Sequence, residues 1–216
     1  MSAVLDVGTV TIDSKLPCSA WCEDHTRKLF DQLNVPRYSV GASVMAVPDS
    51  LEEWQAEHRT ARKRAWRAER LGYTFGEVDY SQHSDDIFVI NTSLSERQGR
   101  PMKDGYTTNH RRAPLSVDQI RCPLHRTYTY GVKTRSKLVA YLTLHRAGDL
   151  AMVSMILGHG AHLANDIMYL LAAGTIDRQA GNGGFFYYNR HDSGTDGLVY
   201  FKERIGFHAA DLEWNL

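Results

Sequence analysis

A mixed α/β fold, one sheet with helices packed on its faces, is what this chain of 216 residues predicts. Three observations carry that expectation. The last hundred residues read strand, strand, strand, helix, strand, helix, strand. A long basic helix closed by a glycine precedes them. And 43% of the residues are hydrophobic, enough for one sizeable core or at most two small domains.

Residues 1–50 read as a mixed N-terminal extension. PCSAWCEDHTRKLFDQL suggests a short helix around Thr26 to Leu33, and Pro36, Gly41 and Pro48 interrupt the chain after it. The clearest helix spans 51–71. Ser50 can cap it, Glu53 three residues on can close a capping box, and Gly72 stands where a helix-ending glycine belongs. YTFGEVD alternates and reads as a strand. SDDIFVINTSLSERQG reads as a helix from Ser84 to Gly99, and 100–121, with two prolines and the run HRR, as a long surface loop. TYTYGVK, KLVAYLTLHR and LAMVSMILG are strands, the last two joined through Ala147–Gly148–Asp149. NDIMYLLAAGTID is a helix, GFFYYN a strand, GLVYFKERIGF a short helix and AADLEWNL the final strand.

Composition narrows the class. The formal net charge is +0, which argues neither for nor against nucleic acid. The start MSAVLDVGTVTIDSK has no basic segment followed by an apolar run, and no apolar stretch approaches the roughly 18 residues of a membrane helix. Three cysteines are too few for a disulfide scaffold and read as reduced thiols. A soluble, cytoplasmic protein without a membrane partner is expected. The oligomeric state is not readable.

Charge concentrates on the 51–71 helix. At about 100° per residue, Arg59, Arg62, Lys63, Arg67 and Arg70 fall within an arc of roughly 140°, and Arg64 lies outside it. This stripe reads as a grip on an anionic partner, or as a solvated face whose stems pack on the core. Lys103, Arg111, Arg112, Arg121 and Arg126 are placed to extend it. Arg97, Gln98, Arg100 and Lys103 cluster around Gly99 and Pro101, which suits recognition of a carboxylate or phosphate, or a plain exposed loop.

Two further groups point to chemistry. Cys18-x3-Cys22-x2-His25 and Cys122-x2-His125 have ligand-like spacings, and Cys18, Cys22, Cys122 and His125 would make a Cys3His zinc set. The spacing is loose and buried thiols are common, so no metal is expected. Strand LAMVSMILG runs into Gly158–His159–Gly160–Ala161–His162, and a helix begins near Asn165. A glycine turn at a helix N-terminus can bind an anion through backbone N–H groups, which makes Gly158, Gly160 and Asn165 the cofactor-binding candidates.

The order of elements from about 128 to 216 resembles the GNAT acyltransferase fold, and GLVYFKERIGF resembles its closing helix. Phe201–Lys202–x–x–Ile205–Gly206 resembles the FK-x-x-φ-G ending of the Fem-type aminoacyltransferases. Their relatives also carry an Arg/Lys-rich helix ending in a glycine before a strand. The resemblance touches residues 50 to 216, which would form the acyltransferase-like core behind the extension. It implies a splayed mixed sheet flanked by helices. It also implies transfer of an acyl group from acyl-CoA or aminoacyl-tRNA to the amine of a small molecule or macromolecule. In that setting Lys202 would contact a phosphate or carbonyl. RQAGNGG, residues 178–184, resembles the R-x-x-G-x-G of coenzyme A loops. It comes after the helix rather than before it, however, and so reads as a helix exit and flexible turn.

Acyl transfer to an amine needs a base, a stabiliser for the carbonyl oxygen, and juxtaposition. His159 and His162 are candidate bases, and Asp166 can orient a histidine or the amine. Alternation puts Tyr187 and Asn189 on one face of their strand and Tyr188 on the other. Only one tyrosine can reach a substrate, and Tyr187 is the candidate. Two other functions fit the same pattern. One is a DNA- or RNA-base modifying enzyme gripping nucleic acid with the 51–71 helix. The other is a binding module without catalysis.

Overall fold

The computed structural model describes residues 8–13, 20–33, 39–97, 99–108 and 122–215. The N-terminal part supplies β1 (Thr9–Asp13), α1 (Ala20–Leu33) and β2 (Ala42–Ala46). Next come α2 (Leu51–Glu57), α3 (Arg59–Arg70), β3 (Tyr73–Glu77) and α4 (Ser84–Thr92). The short strands β4 (Glu96–Arg97) and β5 (Arg100–Pro101) and the single-turn α5 (Asp104–Thr107) come after them. Long strands β6 (His125–Thr134), β7 (Lys137–Ala147) and β8 (Leu150–Gly158) then lead through a 3₁₀ turn, Gly160–Asn165, to α6 (Ile167–Gln179). β9 (Phe185–Arg190), α7 (Asp196–Arg204) and β10 (His208–Asn215) complete the order. No helix among the described residues is long and apolar enough to cross a membrane.

Among the described residues one mixed sheet runs β1-β10-β2-β9-β8-β7-β6-β3, and β4 and β5 pair separately. Alternation along the strands gives the sheet two apolar faces. On one, α2, α3, α6 and α7 cover a core that includes Trp54, Leu171, Tyr188 and Phe207. On the other, Leu29 and Phe30 of α1 meet Val44, Tyr187 and Leu212, and α4 sets Ile87 and Ile90 against Leu138 and Tyr141. Small residues Ala61, Ala65 and Ala68 form the buried side of α3, which lets it lie close against α6.

Strands β8 and β9 are parallel neighbours, but their pairing covers only Leu150–Met152 against Phe185–Tyr187. Beyond it they part. β9 carries an irregularity there: Val44 faces Tyr187 but Ala42 faces Arg190, so β9 has one residue more, and Asn189 is left-handed at φ 53°. An extra residue of this kind bends a strand and increases its twist. The expected splayed mixed sheet flanked by helices is present.

Several expectations are corrected. The stretch read as an N-terminal extension supplies two strands of the sheet, and β2 lies inside it between β10 and β9. The first helix begins at Ala20 rather than near Thr26. The 51–71 helix breaks at His58 (φ −107°, ψ 53°), where the imidazole tilts onto Trp54 at 5.6 Å and the Trp54 indole N–H donates to the Ile205 carbonyl at 2.9 Å. The caps hold: Ser50 Oγ accepts from the Glu53 N–H at 3.1 Å, while the Glu53 carboxylate takes the Asp49 N–H at 2.8 Å. α4 stops at Thr92 instead of Gly99, because Ser93 and Arg97 turn back to bond the Ile90 carbonyl. Gln98, Arg111, Arg112 and Arg121 lie outside the described residues.

RQAGNGG is a helix exit, but a clamped one. α6 runs through Gln179, whose amide donates to the Tyr130 hydroxyl at 2.9 Å. The Asn182 and Gly183 carbonyls then accept from the fully buried Arg146 guanidinium at 3.0 and 2.5 Å. The turn presents acceptors to a cation, the opposite of a phosphate cradle.

Candidate active site

A cleft of about 450 Å³ opens where β8 and β9 part. Ile156, Leu157 and Gly158 of β8 form one wall, Tyr188 of β9 and Leu198, Tyr200 and Phe201 of α7 the other. Asp166, Met168 and Tyr169 close the end at the start of α6, and Leu94, Glu96, Arg97 and Arg64 rim it. Aromatic stacking stiffens the floor: the Tyr169 and Phe201 rings meet edge-on at 5.1 Å. One edge of β8 beyond Met152 has no strand partner among the described residues and faces this space. A bound molecule with amide groups can pair with such an edge.

Charge is placed with care around the cleft. Asp166 precedes α6 in a left-handed conformation, φ 61° and ψ 21°. That conformation is costly for a non-glycine residue and holds only where surroundings fix it. Here Arg67 pairs with Asp166 Oδ2 at 2.8 Å and donates to the Ala164 carbonyl at 3.0 Å, while Arg64 approaches Oδ1 at 3.5 Å. The Arg64 guanidinium also lies over the Tyr169 ring at 4.9 Å, and burial raises the Tyr169 pKa. Arg97 is half-buried, which pulls its pKa below the usual value. It donates to the Gly158 carbonyl at 2.9 Å, the Ile90 carbonyl at 2.5 Å and Ser93 Oγ at 3.1 Å. No carboxylate pairs with it among the described residues. A guanidinium held by neutral acceptors keeps its charge available to a ligand.

Of the residues the sequence singles out, Asp166, Gly158 and Arg97 line the cleft. Arg67 reaches it through Asp166. Asp166 is held by arginines rather than set against a histidine. His159 caps the 3₁₀ turn by accepting the Ala161 N–H at 3.3 Å. His162 Nδ1 and Tyr73 Oη lie 2.7 Å apart, and Asn165 donates to the same hydroxyl at 2.9 Å. Burial first, and then His159, lower the His162 pKa. None of His159, His162 and Asn165 lines the cleft. The Gly160 N–H, expected to greet an anion, donates to Ser93 Oγ at 3.0 Å.

Two catalytic candidates, Tyr187 and Lys202, lie away from the cleft. Tyr187 is 3% exposed and packs against Trp214 on the α1 side, whereas Tyr188 faces the cleft. Lys202 is fully buried below Tyr188, with its ammonium 4.8 Å from that ring, and donates to the Arg190 carbonyl at 2.6 Å. It fastens α7 to the end of β9 and does not reach the cleft. Arg64, outside the basic arc by spacing, is the α3 cation that lines it.

The remaining cations lie elsewhere. Arg59, Lys63 and Arg70 point to solvent on α3, and Arg62 stacks over Trp66 at 4.8 Å. Arg100 and Lys103 are exposed beyond the cleft rim. Arg126 is paired with Glu77 at 2.6 Å on β6. Cys22, Cys122 and His125 do converge, with ligand atoms within 4.8 Å of one another, while Cys18 lies outside the described residues.

No family model and no curated protein sequence matches this chain. Among solved structures, FemX aligns with a TM-score of 0.60 at 11% identity, over 79% of this chain and 59% of its own. A GCN5-related N-acetyltransferase from Kribbella flavida aligns at 0.40 and 14% identity, over 64% of this chain and 47% of its own. A tandem GNAT protein from the clavulanic acid biosynthesis pathway aligns at 0.46 and 11% identity, over 86% and 55%. This chain thus spans 47% to 59% of those structures' lengths. At 11% identity the likeness to FemX concerns the fold alone.

Proposed function

We propose that the protein moves an acyl or aminoacyl group from an activated donor onto an amine. The observation that carries this reading is the cleft at the parting of β8 and β9, with a strand edge along one wall that has no partner among the described residues, and arginines at its rim. An acyl donor is an extended molecule with amides or bases at one end and phosphates nearby. The β8 edge suits its amides, and Arg64 at the rim suits its phosphates. Arg97 is placed to stabilise negative charge developing on a carbonyl oxygen. Asp166 is committed to Arg67 and Arg64, so among the described residues lining the cleft exposed Glu96 is the carboxylate left to attract the acceptor amine and take its proton as the C–N bond forms; the donor's C–S or C–O bond then breaks, and the proton passes to the thiol or ribose hydroxyl that leaves. Tyr188 and Phe201 supply the apolar floor that excludes water.

Both acyl-CoA and aminoacyl-tRNA meet this description as donors. The test is transfer to a panel of amines from each donor, followed by mass spectrometry, in the native chain and in Leu198→Trp. The indole would fill the cleft from α7. Transfer from one donor, lost in Leu198→Trp with unchanged circular dichroism, is the expected result. Equal rates in both proteins would place the chemistry outside the cleft, and no transfer from either donor would remove the proposal.

A second reading has its own support. Arg59, Lys63 and Arg70 form no ion pair among the described residues, and they lie on the helix that borders the cleft mouth. A nucleic-acid amine as acceptor would use that face. Binding to RNA or DNA that weakens steeply with salt, and weakens uniformly in Lys63→Ala, would favour it.

A further inference from the structure

We infer that Cys22, Cys122 and His125 bind a zinc ion that fastens α1 to the start of β6. The three come from segments a hundred residues apart in sequence. Cys22 lies in the first turn of α1 and is 3% exposed, and His125 opens β6 at 1%. Cys122 sits on the turn just before, where the His125 N–H donates to the Cys122 carbonyl at 3.1 Å. That turn aims both side chains at the helix.

The distances suit a metal. Zinc bonds of about 2.3 Å to sulfur and about 2.05 Å to nitrogen, at the tetrahedral angle, put S and N about 3.6 Å apart and two sulfurs about 3.8 Å apart. Cys122 Sγ and His125 Nδ1 stand at 3.6 Å, and all three ligand atoms lie within 4.8 Å of one another. A contraction of about 1 Å or less closes the set. Two thiols and an imidazole form a borderline-soft site, which selects zinc over magnesium or calcium. The fourth position is left to water or another donor.

The place of the site defines its role. His125 pairs with Ala147, which faces Leu150, whereas the cleft is walled by Ile156 to Gly158. The ion therefore sits at the opposite end of β7 and β8 from the cleft. Leu29 and Phe30 anchor the second half of α1 in the core, and the metal would anchor its first turn. Loss of the ion should loosen α1 and leave the cleft walls in place.

The experiment uses the full chain, purified under reducing conditions without chelator. Elemental analysis should find about one zinc per chain. Stripped protein titrated with Co²⁺ should develop tetrahedral cobalt bands and an ultraviolet thiolate-to-cobalt charge-transfer band, both erased by added zinc. Cys122→Ser and His125→Asn should each weaken Co²⁺ binding at least tenfold, and chelator should lower the Tm of the native protein but not of the variants. Substoichiometric zinc together with no charge-transfer band in reduced native protein would overturn the proposal. So would undiminished cobalt affinity in both variants, or a Cys22–Cys122 disulfide in the protein as purified. If the variants fail to fold, the cobalt spectrum of the native chain decides alone.

Discussion

Lys202 gives the sharpest quantitative test of the packing. Burial lowers its pKa from the ordinary 10.5 to about 8, and the Arg190 carbonyl and the Tyr188 ring do not restore it. The sign comes from proton counting. Between those two values the unfolded chain holds the proton and the folded chain has released it, so stability rises with pH. It is lowest below pH 8, where the buried ammonium is charged, and the gain is complete only above about 10.5. Each pH unit inside the window is worth about 1.4 kcal/mol. From pH 7.5 to 9.5 the native protein should gain roughly 2 kcal/mol relative to Lys202→Met, which has no proton to lose. Comparing the two proteins cancels tyrosine and cysteine titrations common to both. The assay is urea unfolding of both proteins at half-unit pH steps, reading the midpoint at constant slope. Parallel stability curves would show that Lys202 keeps its proton, or reaches water, in the folded state. A native curve falling through the window would invert the argument altogether.

Other outcomes rest on single contacts. Gly184→Ala places a methyl group against the Asp149 backbone at φ 80°, and should cost about 2–3 kcal/mol in urea unfolding. Trp54→Phe removes the indole bond to the Ile205 carbonyl and leaves a buried acceptor unpaired, a loss of about 1–2 kcal/mol by thermal denaturation. Tyr187→Phe should leave acyl transfer within twofold because the side chain sits on the α1 side, whereas Arg97→Met should reduce kcat/KM at least tenfold. Equal losses in these two would contradict the assignment of faces.

What the sequence discloses depends on how local the cause is. The Ser50 cap and the β6–β8 meander are read within a few residues of one another, and each is found where expected, whereas the helix read over 51–71 is interrupted at His58. β2 escapes because its residues are buried on both faces, so ASVMA shows no alternation, and prolines flank it. The tyrosine pair shows the limit of a period of two. It separates Tyr187 from Tyr188, but which face carries the cleft is decided by distant helices. Arg64 escapes because an arc of charge measures cations against one another; its position comes from Ala61, Ala65 and Ala68 turning to α6. The cleft itself depends on pairing that stops at Met152, a break between strands with no local signature. The cysteine–histidine group is visible as spacing, and only convergence of two remote turns gives it geometry.

The central place of β2 has a consequence for how the molecule is made. Its neighbours β9 and β10 are synthesised long after it, so the strand must wait, unpaired, until both have left the ribosome. Contacts of such long sequence separation slow folding. A fragment starting at residue 50 would lack the piece that joins β9 to β10 and would expose two strand edges to aggregation. Attempts to shorten this protein from its N-terminus should therefore yield insoluble material rather than a smaller folded domain.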